Sequence, residues 1–143
     1  PGFIWERGDR YLEQVSDGER RNLYRCQSLI DRGVNVAVSS DAPYGPKSPW
    51  DVIRHSTERL TKRGAVVGEV ERISASTALS SYLTSKGDPA GEGRKVLVGA
   101  AADLCLLDRP LREALKTPDA VSVVATLVDG SPTHGLQIKD PAV

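Results

Sequence analysis

Methionine is missing from all 143 residues, and the chain opens on Pro1. A translation product starts with Met, so the expectation is a piece cut from, or processed out of, something longer. Net charge is also missing: 19 Lys and Arg balance 19 Asp and Glu. With no basic stripe to track phosphates and no polybasic end, nucleic acid and lipid surfaces are excluded as partners. No apolar run approaches the roughly 20 residues of a spanning helix, and no signal-peptide pattern is present. Cysteine is scarce. Cys26 and Cys105 lie far apart without CxxC spacing, which argues against a disulfide framework or a thiolate metal pair. Both are expected as buried core thiols in a reducing, cytoplasmic compartment. Nucleophile motifs are absent as well: there is no Gly-x-Ser-x-Gly and no cysteine with a placed histidine. The glycines of "GEGRKVLVG" neither follow a strand nor open a helix, so they form no phosphate loop.

What remains is an ordinary globular composition, 39% apolar and 27% charged, long enough for a domain with a core. The opening "PGFIWERGDRYL" reads as a loop with a helical turn near Asp9 to Leu12. Ser16 and Glu19 have capping-box spacing, Leu23, Cys26, Leu29 and Ile30 recur at helical intervals, and Gly33 stops the run, which predicts a helix over Glu19 to Arg32. Val34, Val36 and Val38 alternate with small residues as a buried strand does, and "APYGPKSP" ends it near Ser40. Ser48 and Pro49 open a helix carrying Trp50, Ile53 and Leu60; Ser74 caps another that stops at Gly87. The Gly-rich connector "DPAGEGRK" places a boundary between Lys86 and Arg94, dividing residues 1–86 from 87–143. Beyond it, Leu104 to Leu107 reads as a strand and "RPLREAL" as a short amphipathic helix. "AVSVVATLVDGSP" reads as a strand entering an Asp129-Gly130 hairpin, with "THGLQI" as a return strand.

One strand in the first part cannot satisfy its own backbone. A helix–strand–helix unit is a slice of a parallel α/β architecture. In a (β/α)8 barrel, chemistry sits at the C-terminal ends of strands, where Asp41 stands. A carboxylate there can ligate a divalent metal and accept a proton from an attacking water. On "SDAP" alone, a turn or cap residue is the slightly favoured reading.

The segment "GVNVAVSSDAPYGPKSPWDVIRHSTERLTKRG" resembles the region around the last barrel strand of the metal-dependent amidohydrolase superfamily, in the branch called amidohydrolase family 3. "ERISASTALSSYLTSKG" is similar to the helix that follows there. "GRKVLVGAAADLCLLDRPL" resembles the return to a small β-domain, with its Gly-x-x-ADL-x-x-LD pattern, and "VVATLVDG" resembles the closing strand. "PGFIWERGDRYL" is similar to the loop after the seventh barrel strand. The resemblance implies an α/β chain: the C-terminal segment of a (β/α)8 barrel, then part of a small β-sandwich. It implies hydrolysis of carbon–nitrogen bonds in a small amide-type substrate. Asp41 would be the metal ligand and general base that passes a proton to the leaving amine.

The family's remaining ligands, an His-x-His pair and groups on the fourth, fifth and sixth strands, lie on strands this chain does not contain. His55, on a helix, and His134, in a terminal turn, are expected as solvated surface residues. Catalytic sites take about three protein ligands and a complete barrel about 250 residues, so the chain alone is expected to be inactive. The divalent metal, zinc by the resemblance, would belong to the full-length enzyme. The missing N-terminal portion of the same protein is an expected partner, and exposed strand edges invite self-association. Tyr44 and Trp50 follow Asp41 at the presumed mouth as candidate substrate-binding residues; packing of the loop is the alternative, favoured for Trp50. Ser39 and Ser40 are candidate hydrogen-bond partners of Asp41, or simply small residues of the barrel. Asp103 and Asp108, flanking a strand, are expected to make turn hydrogen bonds. A non-catalytic structural or interaction module without a metal site is the second reading. A different α/β enzyme in which Asp41 is only a cap is the third.

Overall fold

The computed structural model describes residues 1–85 and 87–135. They fall in two compact units, Pro1–Arg94 and Lys95–Val143.

The first unit is helical. Helix α1 spans Gly2–Gln14, where the sequence suggested a loop and a single turn. Its inward stripe is Ile4 and Gly8, both buried. A Cβ at Gly8 would meet Thr61 Cγ2 at 2.6 Å, so a residue of low helix propensity is used here for close approach. The expected helix over Glu19 to Arg32 is instead two short ones, α2 at Asp17–Arg20 and α3 at Gln27–Ile30. Ser16 caps α2 as its spacing implied, accepting from the Glu19 N–H. Tyr24 then turns into the left-handed region (φ 51°) and breaks the run.

The cause of the break lies 35 residues away. The Arg59 guanidinium, with no exposed surface, donates to the carbonyls of Leu23 (2.9 Å), Tyr24 (3.1 Å) and Val67 (2.7 Å). Carbonyls turned toward a buried cation cannot also serve an uninterrupted helix. The buried Glu71 carboxylate restarts the chain as α3, accepting from the N–H groups of Cys26 (2.9 Å) and Ser28 (3.0 Å).

Helix α4 spans Pro49–Glu58, with Ser48 accepting from the Trp50 N–H and Pro49 in the first turn. Helix α5 spans Ala75–Ser80, with Ser74 accepting from Thr77 N–H. Both starts follow the sequence signals. The core gathers Cys26, Val38, Val52, Ile53, Ile73 and Ala78.

Val34 to Ser40, expected as a barrel strand, joins no sheet among the described residues. A β-ladder needs a neighbouring strand, and none of the described strands lies in this unit. The segment is tied by other means: Val34 N–H donates to Leu29 O and Val38 N–H to Ser81 Oγ.

The second unit holds β1 (Leu104–Leu107), the short α6 (Leu111–Ala114), β2 (Val123–Val128) and β3 (Ser131–His134). The strands form one antiparallel sheet in the order β1-β2-β3, with Cys105 opposite Thr126 and Val128 opposite Ser131. Asp129 (φ 49°) and Gly130 (φ 75°) make the hairpin turn, two positive φ angles that suit this pair of residues. The return strand starts at Ser131, earlier than "THGLQI" implied; Leu136 to Ile138 lie outside the described residues. The described strands make a single sheet rather than two facing layers. Cys105 is exposed on β1, contrary to its expected burial; β1 is an edge strand, and Leu104 and Leu106 on its other face are exposed too. No helix among the described residues is long and apolar enough to cross a membrane.

Candidate active site

Asp41 stands in a tight turn that closes the Val34–Ser40 segment. Its φ of 54° is left-handed, a conformation that Asp tolerates better than most residues. Its carbonyl accepts from the N–H groups of Tyr44 (3.0 Å) and Gly45 (3.2 Å). Ser40 Oγ accepts from the Ala42 N–H at 3.2 Å, and the Ala42–Pro43 peptide is cis. The turn leaves Asp41 exposed.

Tyr44, beside it, is 73% exposed and free to meet a ligand. Trp50 is half-buried against the core of the first unit. Gly45 has no room for a side chain: a Cβ there would lie 1.8 Å from Ser40 O and 3.0 Å from Ser40 C. Sequence reading treated Gly45 as loop punctuation. Its position four residues after Asp41, inside a proline-flanked turn, was the available signal.

The two histidines part company. His134 lies exposed on β3 rather than in a turn. His55, expected at the surface, is only 3% exposed. Its ring stacks on Trp5 of α1 at 5.4 Å, and its Nδ1 finds no hydrogen-bond partner among the described residues. Burial, followed by the neighbouring Arg54 charge, pushes its pKa down to about 4. The polar look of α4 concealed this, because the face that α1 covers is set by contact between helices.

A divalent ion needs several donors around one point. Among the described residues no group of three or more His, Cys, Asp or Glu is arranged to hold one. Asp41 alone does not fit a metal. An open groove of about 310 Å³ lies among Leu12, Arg20, Arg21, Val66, Val67 and Gly68; Asp41 does not line it. Asp103 accepts from Asp129 N–H (2.8 Å) and Asp108 from Ser122 N–H (3.3 Å), turn roles that sequence reading anticipated. Hydrogen bonding from Arg109 holds the Asp108 carboxyl below its ordinary pKa.

The profile of the amidohydrolase family matches residues 3–134. The chain belongs to the amidohydrolase family. It is also similar to the N-substituted formamide deformylase of Arthrobacter pascens, at 32% identity over 135 residues, covering 91% of this chain. It spans about a quarter of that relative's length (25%). No solved structure matches it.

Proposed function

We propose that this sequence is the C-terminal portion of a metal-dependent hydrolase that cleaves N-substituted amides, with N-substituted formamides as the first class to test. Residues 1–86 would complete a (β/α)8 barrel, and 87–143 would supply the strand-rich part of a small β-domain. The observation that carries this is the match over residues 3–134 combined with coverage of only 25% of the deformylase relative. Asp41 would supply one carboxylate donor to a divalent ion, zinc in our reading, and the other donors would have to come from sequence outside this chain. As general base, its carboxylate takes a proton from the attacking water and delivers it to the leaving nitrogen, so that amide and water become amine and carboxylic acid. Tyr44 and Trp50 border the substrate. The two free thiols accord with a cytoplasmic enzyme.

The test is Asp41→Asn in the full-length enzyme, followed by amine release from an N-substituted formamide. Loss of a general base lowers kcat by about 10²–10⁴-fold. Undiminished turnover would remove Asp41 from the chemistry. A full-length protein with no hydrolytic activity on any amide tried would leave the non-catalytic module as the better reading.

A further inference from the structure

We infer that Gly45 is the positioning residue for Asp41, assisted by the Ser40 hydroxyl; this rests on the role proposed for Asp41 above. Gly45 touches both peptide units that flank the Asp41 Cα. On the N-terminal side, its Cα packs so closely on the Ser40 carbonyl that a Cβ would stand 1.8 Å from the oxygen. On the C-terminal side, its N–H donates to the Asp41 carbonyl at 3.2 Å. Because a peptide unit is planar and rigid, moving the Ser40 carbonyl turns the plane whose nitrogen belongs to Asp41. Real Cβ contacts lie beyond 3.0 Å, so any side chain at 45 forces a shift of at least about 1 Å.

The Ser40 atoms in the way are backbone, so no flexible side chain can yield instead. Gly45 is needed for space, since its own φ lies outside the left-handed region. The Ser40 hydroxyl adds a third hold by accepting from Ala42 N–H. Asp41 itself keeps a left-handed φ of 54°, a conformation that persists when its surroundings over-determine it. Gly45 thus acts on the reaction through Asp41 and touches no substrate.

The experiment compares Gly45→Ala, Ser40→Ala, Asp41→Asn and a control, Gly8→Ala, in the full-length enzyme. Gly8→Ala introduces a milder clash, 2.6 Å to the side-chain methyl Thr61 Cγ2, on a helix rather than in the Asp41 turn. The readouts are kcat, KM, thermal midpoint and the pH profile of kcat/KM. A misplacement of about 1 Å lowers kcat by roughly 100-fold. Gly45→Ala should therefore lose kcat on that scale with KM little changed, and move the acid limb of the profile. Ser40→Ala should move the same limb with a smaller loss. Gly8→Ala should lower the thermal midpoint and leave kcat of the folded enzyme and its profile alone. A Gly45→Ala enzyme with full kcat and an unmoved acid limb overturns the inference. So does a Gly45→Ala protein too unstable to assay, if Ser40→Ala leaves the profile unmoved. Asp41→Asn separates the two claims: if it stays active the underlying reading fails, whereas an inactive Asp41→Asn beside an unaffected Gly45→Ala sinks the positioning role alone.

Discussion

Two buried ionisable groups in the first unit respond to acid in the same direction for different reasons. Burial beside Arg54 holds His55 near a pKa of about 4, against 6.5 ordinarily, so the folded state prefers the neutral ring. Between those values the unfolded chain binds a proton that the folded chain refuses, and stability falls as pH drops through the window. For Glu71, burial alone would raise the pKa. The Ser28 hydroxyl and the Ser28 and Cys26 N–H groups outweigh it and hold the carboxyl below 4.5. That contribution is complete above the unfolded value and is lost as pH falls through the folded one. A thermal midpoint followed from neutral pH down to about pH 4 should therefore decline, first with His55 and then with Glu71. Replacing His55 by Phe, which keeps a ring on Trp5, should flatten the upper part of the decline; an unchanged slope would assign it elsewhere. Sequence pattern could not anticipate His55, whose helix neighbours Arg54, Thr57 and Glu58 are all polar.

Between elements, Arg59 is the fastener of the first unit. It stands in the left-handed cap of α4 (φ 53°) and reaches the break between α2 and α3 and the carbonyl of Val67. Truncation to Ala would strip three backbone carbonyls of their donor at once, with a loss of about 3–5 kcal/mol. Arg59→Lys, which cannot present the planar fork, should fall between. Urea unfolding of the first unit measures both, and an Arg59→Ala midpoint equal to wild type would refute the assignment. Capping signals at Ser48, Pro49 and Ser74 were legible because each acts within one helical turn. The break at Tyr24 was not, because its cause is 35 positions away.

At the scale of the molecule, the described residues leave apolar surface without cover. Val96, Leu97 and Val98 are 83%, 66% and 108% exposed, and Leu106 and Val128 about half. The edges of β1 and β3 are free among the described strands. Single sheets with open edges pair with other chains. The 143-residue chain by itself should thus associate in sedimentation experiments, and elemental analysis after dialysis against a weak chelator should find metal well below one per chain. A monomer holding stoichiometric metal would contradict both, and would require a site built from Asp41 within this chain.

What the sequence determined by itself was local or patterned in order along the chain. The Asp129-Gly130 turn, the helix starts, the Leu104 to Leu107 strand and the succession of family motifs around Asp41 all act through neighbours a few residues away. Tertiary structure decided the rest: that the opening segment is a helix, that His55 is buried, that Tyr24 breaks a helix, and that Val34 to Ser40 carries no ladder among the described residues. Each of these depends on a partner distant in sequence. The energy of burying a ring, satisfying a carbonyl or pairing a strand exists only once that partner is in place.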